Sequence, residues 1–320
     1  GGAVREGRGM SAPAIEFTGV SRWYGDTVSL ADVSFTADGG VVGLLGHNGA
    51  GKSTTLKLCA GFSTPSTGTV RIYGDNPRRH PDVYRRIGIV PDHSPPWPFL
   101  TGREVVELSA RLHKVADYRE AAARAIATVE LEGAADRRVA GFSHGMRQRV
   151  KLAQAIAHEP ELLLLDEPLN GLDPTQREHM IALLIRLGEQ GRTVVVSSHV
   201  LHEVERMAPR VLVLVNGHLV AEGSTAGIRR LISERPRRVL VTADNARALA
   251  RELMSSAAVD AVRITDGAIE VETSEPSQLS RELPAAAGRT QSLLRLIRPV
   301  GDDLESVYTY LHERARGQAR

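Results

Sequence analysis

The pattern G-x-x-x-x-G-K-[ST], typical of phosphate-binding loops, occurs as Gly46-His47-Asn48-Gly49-Ala50-Gly51-Lys52-Ser53. Its glycines let backbone N–H groups turn toward phosphate oxygens, and the helix predicted to begin near Lys52 adds the positive end of its dipole. The Lys52 ammonium can reach the β- and γ-phosphates of a nucleotide, and the Ser53 hydroxyl can ligate Mg²⁺. The alternative is a glycine-rich turn without a ligand. The buried strand before the motif and the helix after it favour the phosphate site.

Two neighbouring carboxylates, Asp166 and Glu167, follow a continuous apolar run at residues 162–165. A strand that ends in this way can deliver Asp166 to the coordination shell of Mg²⁺ and Glu167 to an attacking water. An acidic turn after a buried strand is common by itself. The assignment therefore depends on the phosphate-binding pattern upstream.

Short β-rich runs alternate with helical patterns through the first part of the chain, which predicts an α/β fold. Between residues 101 and 132 the apolar residues recur at helical spacing with no strand between them. We therefore expect an α/β domain over residues 14–233 with an all-helical insertion at about 93–158. The predicted strands are residues 14–18, 29–35, 41–45, 69–73, 87–90, 162–165, 193–197 and 211–215.

The pattern changes at a predicted linker, Glu234-Arg235-Pro236. The dipeptide Asp266-Gly267 is a strong hairpin signal. The element order β-α-β-β-α-β, with one helix added, is that of a ferredoxin-like domain, so residues 237–320 are expected to form a small α+β domain. Strands are predicted at residues 238–242, 261–265, 268–273 and 292–298, and helices at 245–254, 275–283 and 303–314.

Composition limits the classes of protein that this chain can belong to. Its 320 residues are enough for two domains, and 40 Lys+Arg against 38 Asp+Glu leave a net charge of +2. A charge so close to zero argues against a protein that holds nucleic acid by its overall field. The single cysteine, Cys59, excludes an intramolecular disulfide, and no apolar run approaches the ~20 residues of a membrane helix. Residues 1–13 are expected to be disordered or vector-derived.

A third motif, Phe142-Ser143-His144-Gly145-Met146-Arg147-Gln148-Arg149, precedes a predicted helix that leads into the strand at residues 162–165. It resembles the signature motif of ATP-binding cassette (ABC) ATPases, in a variant with a non-glycine third residue. Tyr24, Leu172-Asp173 and Ser197-Ser198-His199 stand around it in the order of that family. The resemblance covers residues 15–223. It implies a P-loop NTPase cassette with a RecA-like α/β core, an antiparallel β subdomain and an inserted α-helical subdomain.

The resemblance also implies how ATP and Mg²⁺ are held. Tyr24 would stack on the adenine, and Mg²⁺ would be bound by Ser53 and Asp166. Around the phosphates the expected contacts are Gly46, Asn48, Gly49, Ala50, Gly51, Lys52, Ser53 and Thr54.

Catalysis and dimerisation are implied by further matches to the family. Glu167 would orient or activate the hydrolytic water and His199 would contact the γ-phosphate, so that Lys52, Glu167 and His199 form the expected catalytic set. Cassettes of this family close head-to-tail around two ATP molecules. Ser143 and Gly145 would therefore face the ATP of a second copy in trans, and Asp173 would lie at the dimer seam.

The sequence departs from the family at Asp92, which stands where a glutamine is usual after the strand at residues 87–90. Asp92 can still ligate Mg²⁺, as a charged oxygen donor instead of an amide. In the signature motif His144 replaces a glycine and Met146 a glutamine, while the backbone contacts of the motif are retained. In transporters of this family, the loop that corresponds to the one around Trp97 helps to form the groove for the membrane subunit. Trp97 is therefore expected either to be an exposed anchor or to pin its own proline-rich loop.

The leading hypothesis is an ATPase subunit that powers transport, in the export direction, through a separate integral-membrane permease of the ABC-2 type. One cassette per chain implies a second ATPase subunit, expected to form a homodimer, on the cytoplasmic face of the membrane. The C-terminal region resembles the accessory domain of such exporter ATPases. The alternative is a soluble ABC ATPase with a regulatory or ribosome-associated role, a class that usually carries two cassettes per chain. A DNA-repair ATPase would need a long heptad coiled coil, which this sequence lacks.

Overall fold

The computed structural model describes residues 12–92, 96–228, 237–265 and 268–300. The chain forms two compact units, which divide between residues 225 and 226. The predicted linker at residues 234–236 and the predicted final helix at 303–314 lie outside the described residues, as do residues 1–11 of the predicted N-terminal segment.

A six-stranded sheet forms the centre of the first unit. In spatial order its strands are β5 (Ile87–Val90), β6 (Leu162–Leu165), β7 (Thr193–Ser198), β3 (Gly40–Leu45), β8 (Arg210–Val215) and β9 (His218–Ser224). Neighbouring strands are parallel except for β8 and β9, which pair antiparallel. β6 and β7 are buried along their whole length, as continuous apolar runs predict for strands covered on both faces. Because β6, β7 and β3 are adjacent and parallel, the residues that follow them meet at one edge of the sheet.

An antiparallel sheet of the first unit contains β2 (Thr27–Ala37), β1 (Ile15–Tyr24) and β4 (Thr67–Ile72) in that order. Phe17 and Phe35 stack across β1 and β2 with ring centroids 4.6 Å apart. Both rings belong to a core cluster that includes residues of β3 and β6, so the two sheets share one hydrophobic core.

The helices of the first unit are α1 (Lys52–Cys59), α2 (Gly102–Leu112), α3 (Tyr118–Thr128), α4 (His144–Ile156), α5 (Pro174–Glu189) and α6 (Leu201–Met207), with short 3₁₀ turns at Pro81–Arg86, Glu132–Ala134 and Val139–Gly141. α2, α3 and α4 pack against one another and form the predicted helical insertion. α2 begins at a capping box: the Thr101 hydroxyl accepts from the Glu104 N–H at 3.1 Å, and the Glu104 carboxylate accepts from the Thr101 N–H at 2.7 Å.

The second unit is an antiparallel sheet with a hydrophobic core of its own. Its elements follow the chain order β10 (Arg237–Ala243), α7 (Ala246–Leu253), β11 (Ala261–Thr265), β12 (Ala268–Thr273), α8 (Pro276–Arg289) and β13 (Leu294–Val300). The strands lie in the spatial order β11-β12-β10-β13. Val241 and Ile269 of the sheet pack with Leu249 of α7 and Leu279 of α8. The β-α-β-β-α-β element order agrees with the sequence prediction.

Several elements differ from their predictions. β1 continues to Tyr24 instead of ending at residue 18, so Tyr24 is its last residue. β9 was not predicted, although Asn216-Gly217 makes the turn before it with φ of +47° and +82°, a combination that favours a hairpin. α8 continues to Arg289 instead of ending before Pro284. Burial of Leu283, Ala286 and Ala287 stabilises the helix on both sides of that proline. Within the described ranges, no helix combines the length and apolar character needed to cross a bilayer.

Candidate active site

The loop between β3 and α1 is the predicted phosphate-binding loop. It is tied to the central sheet because the Gly46 N–H donates to the Ser198 carbonyl at the end of β7, at 3.2 Å. Gly51 has φ of +105°, and a side chain there would lie 2.6 Å from Leu30 Cδ2 and 2.7 Å from the Ser29 carbonyl oxygen. Only glycine fits this position, which explains the requirement for glycine just before Lys52.

Lys52, the first residue of α1, is buried, and its ammonium points back into the preceding phosphate-binding loop. Nζ donates to the carbonyl oxygens of Gly46 at 2.7 Å and His47 at 3.2 Å. It also lies 3.1 Å from Glu167 Oε1, an ion contact without the angle of a hydrogen bond. A bound phosphate would compete with these three oxygens for the Lys52 ammonium.

Both predicted acidic residues, Asp166 and Glu167, follow β6 and form hydrogen bonds with the same serine. Ser197, fully buried in β7, donates its hydroxyl to Asp166 Oδ1 at 2.7 Å and accepts the Glu167 N–H at 2.9 Å. Glu167 has φ of +48°, a left-handed conformation that is uncommon for a residue other than glycine. Its side chain is thereby directed between Lys52 and His199. Ser197 is adjacent to the Ser198-His199 pair in the sequence, but this role of its hydroxyl is visible only in the fold.

His199 completes the cluster that begins with Lys52. Its Nδ1 lies 3.0 Å from Glu167 Oε2, so Glu167 contacts a lysine through one oxygen and a histidine through the other. The preceding Ser198 donates to the buried Glu203 at 3.0 Å, and Arg177 lies 3.2 Å from the same carboxylate. This polar chain connects β7 to α6 and α5 behind the histidine.

The remaining loop residues and Tyr24 differ in exposure. Asn48, Gly49 and Ser53 are exposed, whereas Ala50, Gly51 and Thr54 are buried. The Thr54 hydroxyl lies 2.7 Å from that of Ser29. Tyr24 is 45% exposed, and its hydroxyl lies 3.4 Å from that of Ser63. The Arg22 guanidinium lies over one face of the ring, 4.5 Å from its centroid, at the end of β1.

The predicted signature residues lie where α4 and α5 begin. Ser143 caps α4 by accepting the Met146 N–H at 3.3 Å. A side chain at position 145 would lie 1.9 Å from Gln176 Oε1, so Gly145 leaves room for the Gln176 side chain of α5. Asp173 caps α5 by accepting the Gln176 N–H at 2.9 Å.

His144, the non-glycine residue of the motif, fastens it to the segment before α5. Its Nε2 donates to the Asn170 carbonyl at 2.9 Å. The structure therefore joins Ser143, Gly145 and Asp173 into one local arrangement, and joins Lys52, Asp166, Glu167 and His199 into another.

Asp92, two residues beyond β5, lies beside a second buried lysine. Lys151 Nζ, from α4, donates to the Asp92 carbonyl at 3.0 Å. The Asp166 N–H donates to Val90 at 2.9 Å, so the segment of Asp92 runs next to that of Asp166. Burial lowers the pKa of Lys151, and the carboxylates of Asp92 and Asp166 partly offset that effect. No motif in the sequence around Lys151 points to this position.

These residues suit Mg²⁺ bound together with a nucleotide. Among the described residues no three His, Cys, Asp or Glu side chains are grouped as a metal site. Mg²⁺ is commonly held by one or two carboxylates plus substrate phosphates, and a hydroxyl and a carboxylate on the phosphate-binding edge provide such a partial set.

A groove of about 490 Å³ lies between the helical insertion and β5. Trp97 lines it and is 44% exposed, so its ring is accessible at the groove. Pro91, Pro96 and Phe62 provide further apolar lining, and Lys151 and His158 are polar groups in its wall.

Comparison with known proteins identifies the family. The model of the ABC transporter family matches residues 30–170. The bacitracin transport ATP-binding protein BcrA of Enterococcus faecalis is 32% identical over 300 residues, 93% of this chain and 96% of the relative. The Nod factor export ATP-binding protein I of Paraburkholderia xenovorans is 36% identical over 223 residues, 68% of this chain and 73% of the relative. The daunorubicin/doxorubicin resistance ATP-binding protein DrrA of Streptomyces peucetius is 35% identical over 247 residues, 76% and 75% of the two chains.

Solved structures agree with the sequence relatives. The ATP-binding subunit of an ABC transporter is 31% identical with a TM-score of 0.61, over 68% of this chain and 92% of that one. A dimeric ATP-binding cassette with bound ADP and phosphate is 28% identical with a TM-score of 0.59, over 66% and 98%. The predicted P-loop NTPase cassette is thereby confirmed. The chain belongs to the ABC transporter family and is one of its ATP-binding proteins, an ATPase.

Proposed function

We propose that this ATPase powers export across a membrane through a separate integral-membrane permease of the ABC-2 type. The observation that carries ATP hydrolysis is the contact of Glu167 with both Lys52 and His199 at the end of a P-loop sheet. Export is supported by the relatives, which are named for Nod factor export, bacitracin transport and drug resistance.

ATP would be bound across the exposed edge of the first unit. The ring of Tyr24 would stack on the adenine. The backbone N–H groups of the P-loop and the ammonium of Lys52 would hold the phosphates, with Ser53, Asp166 and Asp92 as the oxygen donors available to Mg²⁺. The metal, when bound, neutralises charge on the β- and γ-phosphates.

Lys52 would exchange its contact with Glu167 for a contact with phosphate when ATP binds. Glu167 would then be free to orient the attacking water, and the neighbouring His199 would contact the γ-phosphate. Ser197 would keep both carboxylates of the site in place, because it holds the side chain of Asp166 and the backbone of Glu167.

A second ATPase subunit would complete each site. Ser143 and Gly145, at the start of α4, would face the γ-phosphate bound by the other copy, where backbone N–H groups and a helix N-terminus favour an anion. Asp173 would lie at the seam between the copies. A homodimer would thus contain two composite sites.

The groove at Trp97 would receive the permease, which would hold the chain on the cytoplasmic face of the membrane. An exposed tryptophan over an apolar groove has the character of an interface anchor.

Co-purification from detergent-solubilised native membranes tests this proposal. We expect the wild-type chain to retain a multi-span membrane protein and Trp97→Ala to lose it, with ATPase activity retained. Leu112→Ala is the matched control, because Leu112 is also exposed in the helical insertion but does not line the groove. Recovery of ribosomes instead, with the ATPase intact, would favour the regulatory alternative.

A further inference from the structure

Lys151 has an unusual position for a lysine. It lies in α4, 7% exposed, and of the lysines that the structure describes only Lys52 is comparably buried. A buried ammonium is costly unless it is paired and hydrogen-bonded. Its one described hydrogen bond goes to the Asp92 carbonyl.

The surroundings of Lys151 are acidic on the side of the ATP site. Burial lowers the pKa of Lys151, and the carboxylates of Asp92 and Asp166 each raise it and so partly offset the burial. Each buried lysine thus contacts a segment of the acidic edge: Lys52 lies against the Glu167 carboxylate, and Lys151 donates to the backbone carbonyl of Asp92.

The arrangement also joins two parts of the first unit. Asp92 follows β5 of the central sheet, whereas Lys151 belongs to the helix that begins with the signature motif. The two residues are 59 positions apart in the sequence. Lys151 additionally lines the groove that contains Trp97, so it stands between that groove and the acidic edge.

We propose that Lys151 is a positioning residue of the ATP site, which holds the Asp92 segment against α4 and balances the Asp92 carboxylate where the γ-phosphate binds. This inference rests on the proposed Mg²⁺–ATP site. An ammonium at this place lets the chain keep aspartate at position 92, whose charge would otherwise repel the triphosphate.

Nucleotide binding with and without Mg²⁺ tests the inference. Calorimetry would give the Kd of ATP in excess Mg²⁺ and in EDTA for the wild type, Lys151→Met, Asp92→Asn and the double variant. Methionine approximates the volume of the lysine stem, and thermal unfolding verifies that each variant is folded. Lys57→Met is the control, since Lys57 is exposed on α1.

We expect Lys151→Met to weaken Mg²⁺-free ATP binding about tenfold and Mg²⁺–ATP binding about threefold, because the metal screens the phosphate from Asp92. Adding Asp92→Asn should restore Mg²⁺-free binding to within about threefold of the wild type. No such rescue is expected if Lys151 only supports the structure. Lys151→Arg, which keeps the charge, should retain most of the affinity. If Lys151→Met unfolds, comparison of Lys151→Arg with Lys151→Gln in the same assay gives the same test of charge.

Two results overturn the inference in distinguishable ways. In one, Lys151→Met weakens Mg²⁺-free ATP binding by the same factor whether residue 92 is aspartate or asparagine. The two residues are then not coupled, and the proposed metal site still stands. Wild-type ATP affinity that does not respond to Mg²⁺ removes the proposed metal site and the inference with it.

Discussion

The two units of the chain differ in what they bury. The first unit has Lys52, Lys151 and Glu203 in its interior, together with polar side chains such as Ser197 and Ser198. In the part of the second unit that the structure describes, the buried polar side chains are uncharged: Thr273 and Ser292. Both units are nevertheless built around apolar clusters of similar character.

The first unit therefore sacrifices some folding stability at the place where the proposed ATP site lies. Buried charges and a left-handed glutamate reduce stability and are retained where they meet a ligand. The charges of the second unit pair on its surface instead, as Arg238 does with Glu270 and Arg289 with Glu252. Substitutions at the buried charges of the first unit should therefore change ATP chemistry, whereas substitutions in the apolar core of the second unit should change stability.

The largest effect is expected from Glu167→Gln. The amide keeps the shape of the side chain but cannot act as a base, so turnover should fall about 100- to 10,000-fold while ATP still binds. A phosphate-release assay and gel filtration with ATP measure this, and we expect the variant to accumulate as a dimer. Glu161→Gln, an exposed glutamate before β6, is the control. Turnover at the wild-type rate would show that Glu167 has no part in hydrolysis.

Lys52→Ala should weaken ATP binding about 100-fold. The substitution removes a phosphate contact and leaves the partly buried Glu167 facing the triphosphate without its cation. Fluorescent-nucleotide titration measures the loss, with Lys57→Ala as a matched lysine on the exposed side of the same helix. Unchanged affinity would contradict the P-loop assignment.

In the second unit, Leu249→Ala should lower the free energy of unfolding by about 2 to 5 kcal/mol, because Leu249 is fully buried between sheet and helices. ATP affinity should stay at the wild-type value, since no residue of the proposed ATP site belongs to this unit. Denaturant unfolding and nucleotide titration on the same samples give both numbers, and exposed Arg247→Ala on the same helix is the control. A large change in affinity would refute the division of roles.

The first unit should also lose stability in mild acid through His158. Burial, with the charge of His113 in addition, lowers the pKa of His158 from 6.5 to about 4. The rings stack with centroids 3.7 Å apart, and within the described residues Nδ1 has no hydrogen-bond partner for a second proton. Because the unfolded chain binds more protons between these pH values, stability falls as the pH drops from 6.5 toward 4.

We expect a loss of about 2 kcal/mol across this window, less than the full shift would give because solvent reaches part of the ring. His158→Gln, whose amide can still donate to the Ile87 carbonyl, should reduce the pH dependence. Urea unfolding at pH 7 and pH 4.5 measures it, with exposed His80→Gln as the control. An unchanged dependence in His158→Gln would assign the acid sensitivity to other groups.

Sequence reasoning succeeded where a local pattern determines structure. The apolar runs at Ile87–Val90 and Leu162–Leu165 matched their strands at both ends, because a strand buried on both faces is apolar along its whole length. It failed at α8, where packing of Leu283 and Ala286 carries the helix past a proline. It also could not find the link between Lys151 and Asp92, because nothing near either residue in the sequence indicates the other.

The smallest effect is expected at an ion pair on the surface of the second unit. Arg289 Nε lies 2.6 Å from Glu252 Oε1, and the two side chains are 60% and 35% exposed. A double-mutant cycle with Arg289→Ala and Glu252→Ala should give a coupling below about 1 kcal/mol that decreases further in 1 M salt. The contact between Lys52 and Glu167 is longer, at 3.1 Å, but those side chains are only 6% and 12% exposed. A larger coupling free energy between Lys52 and Glu167 than between Arg289 and Glu252 would show that burial, and not distance, determines the strength of these ion pairs. It would thereby distinguish the ion pair of the proposed ATP site from the ion pair on the surface.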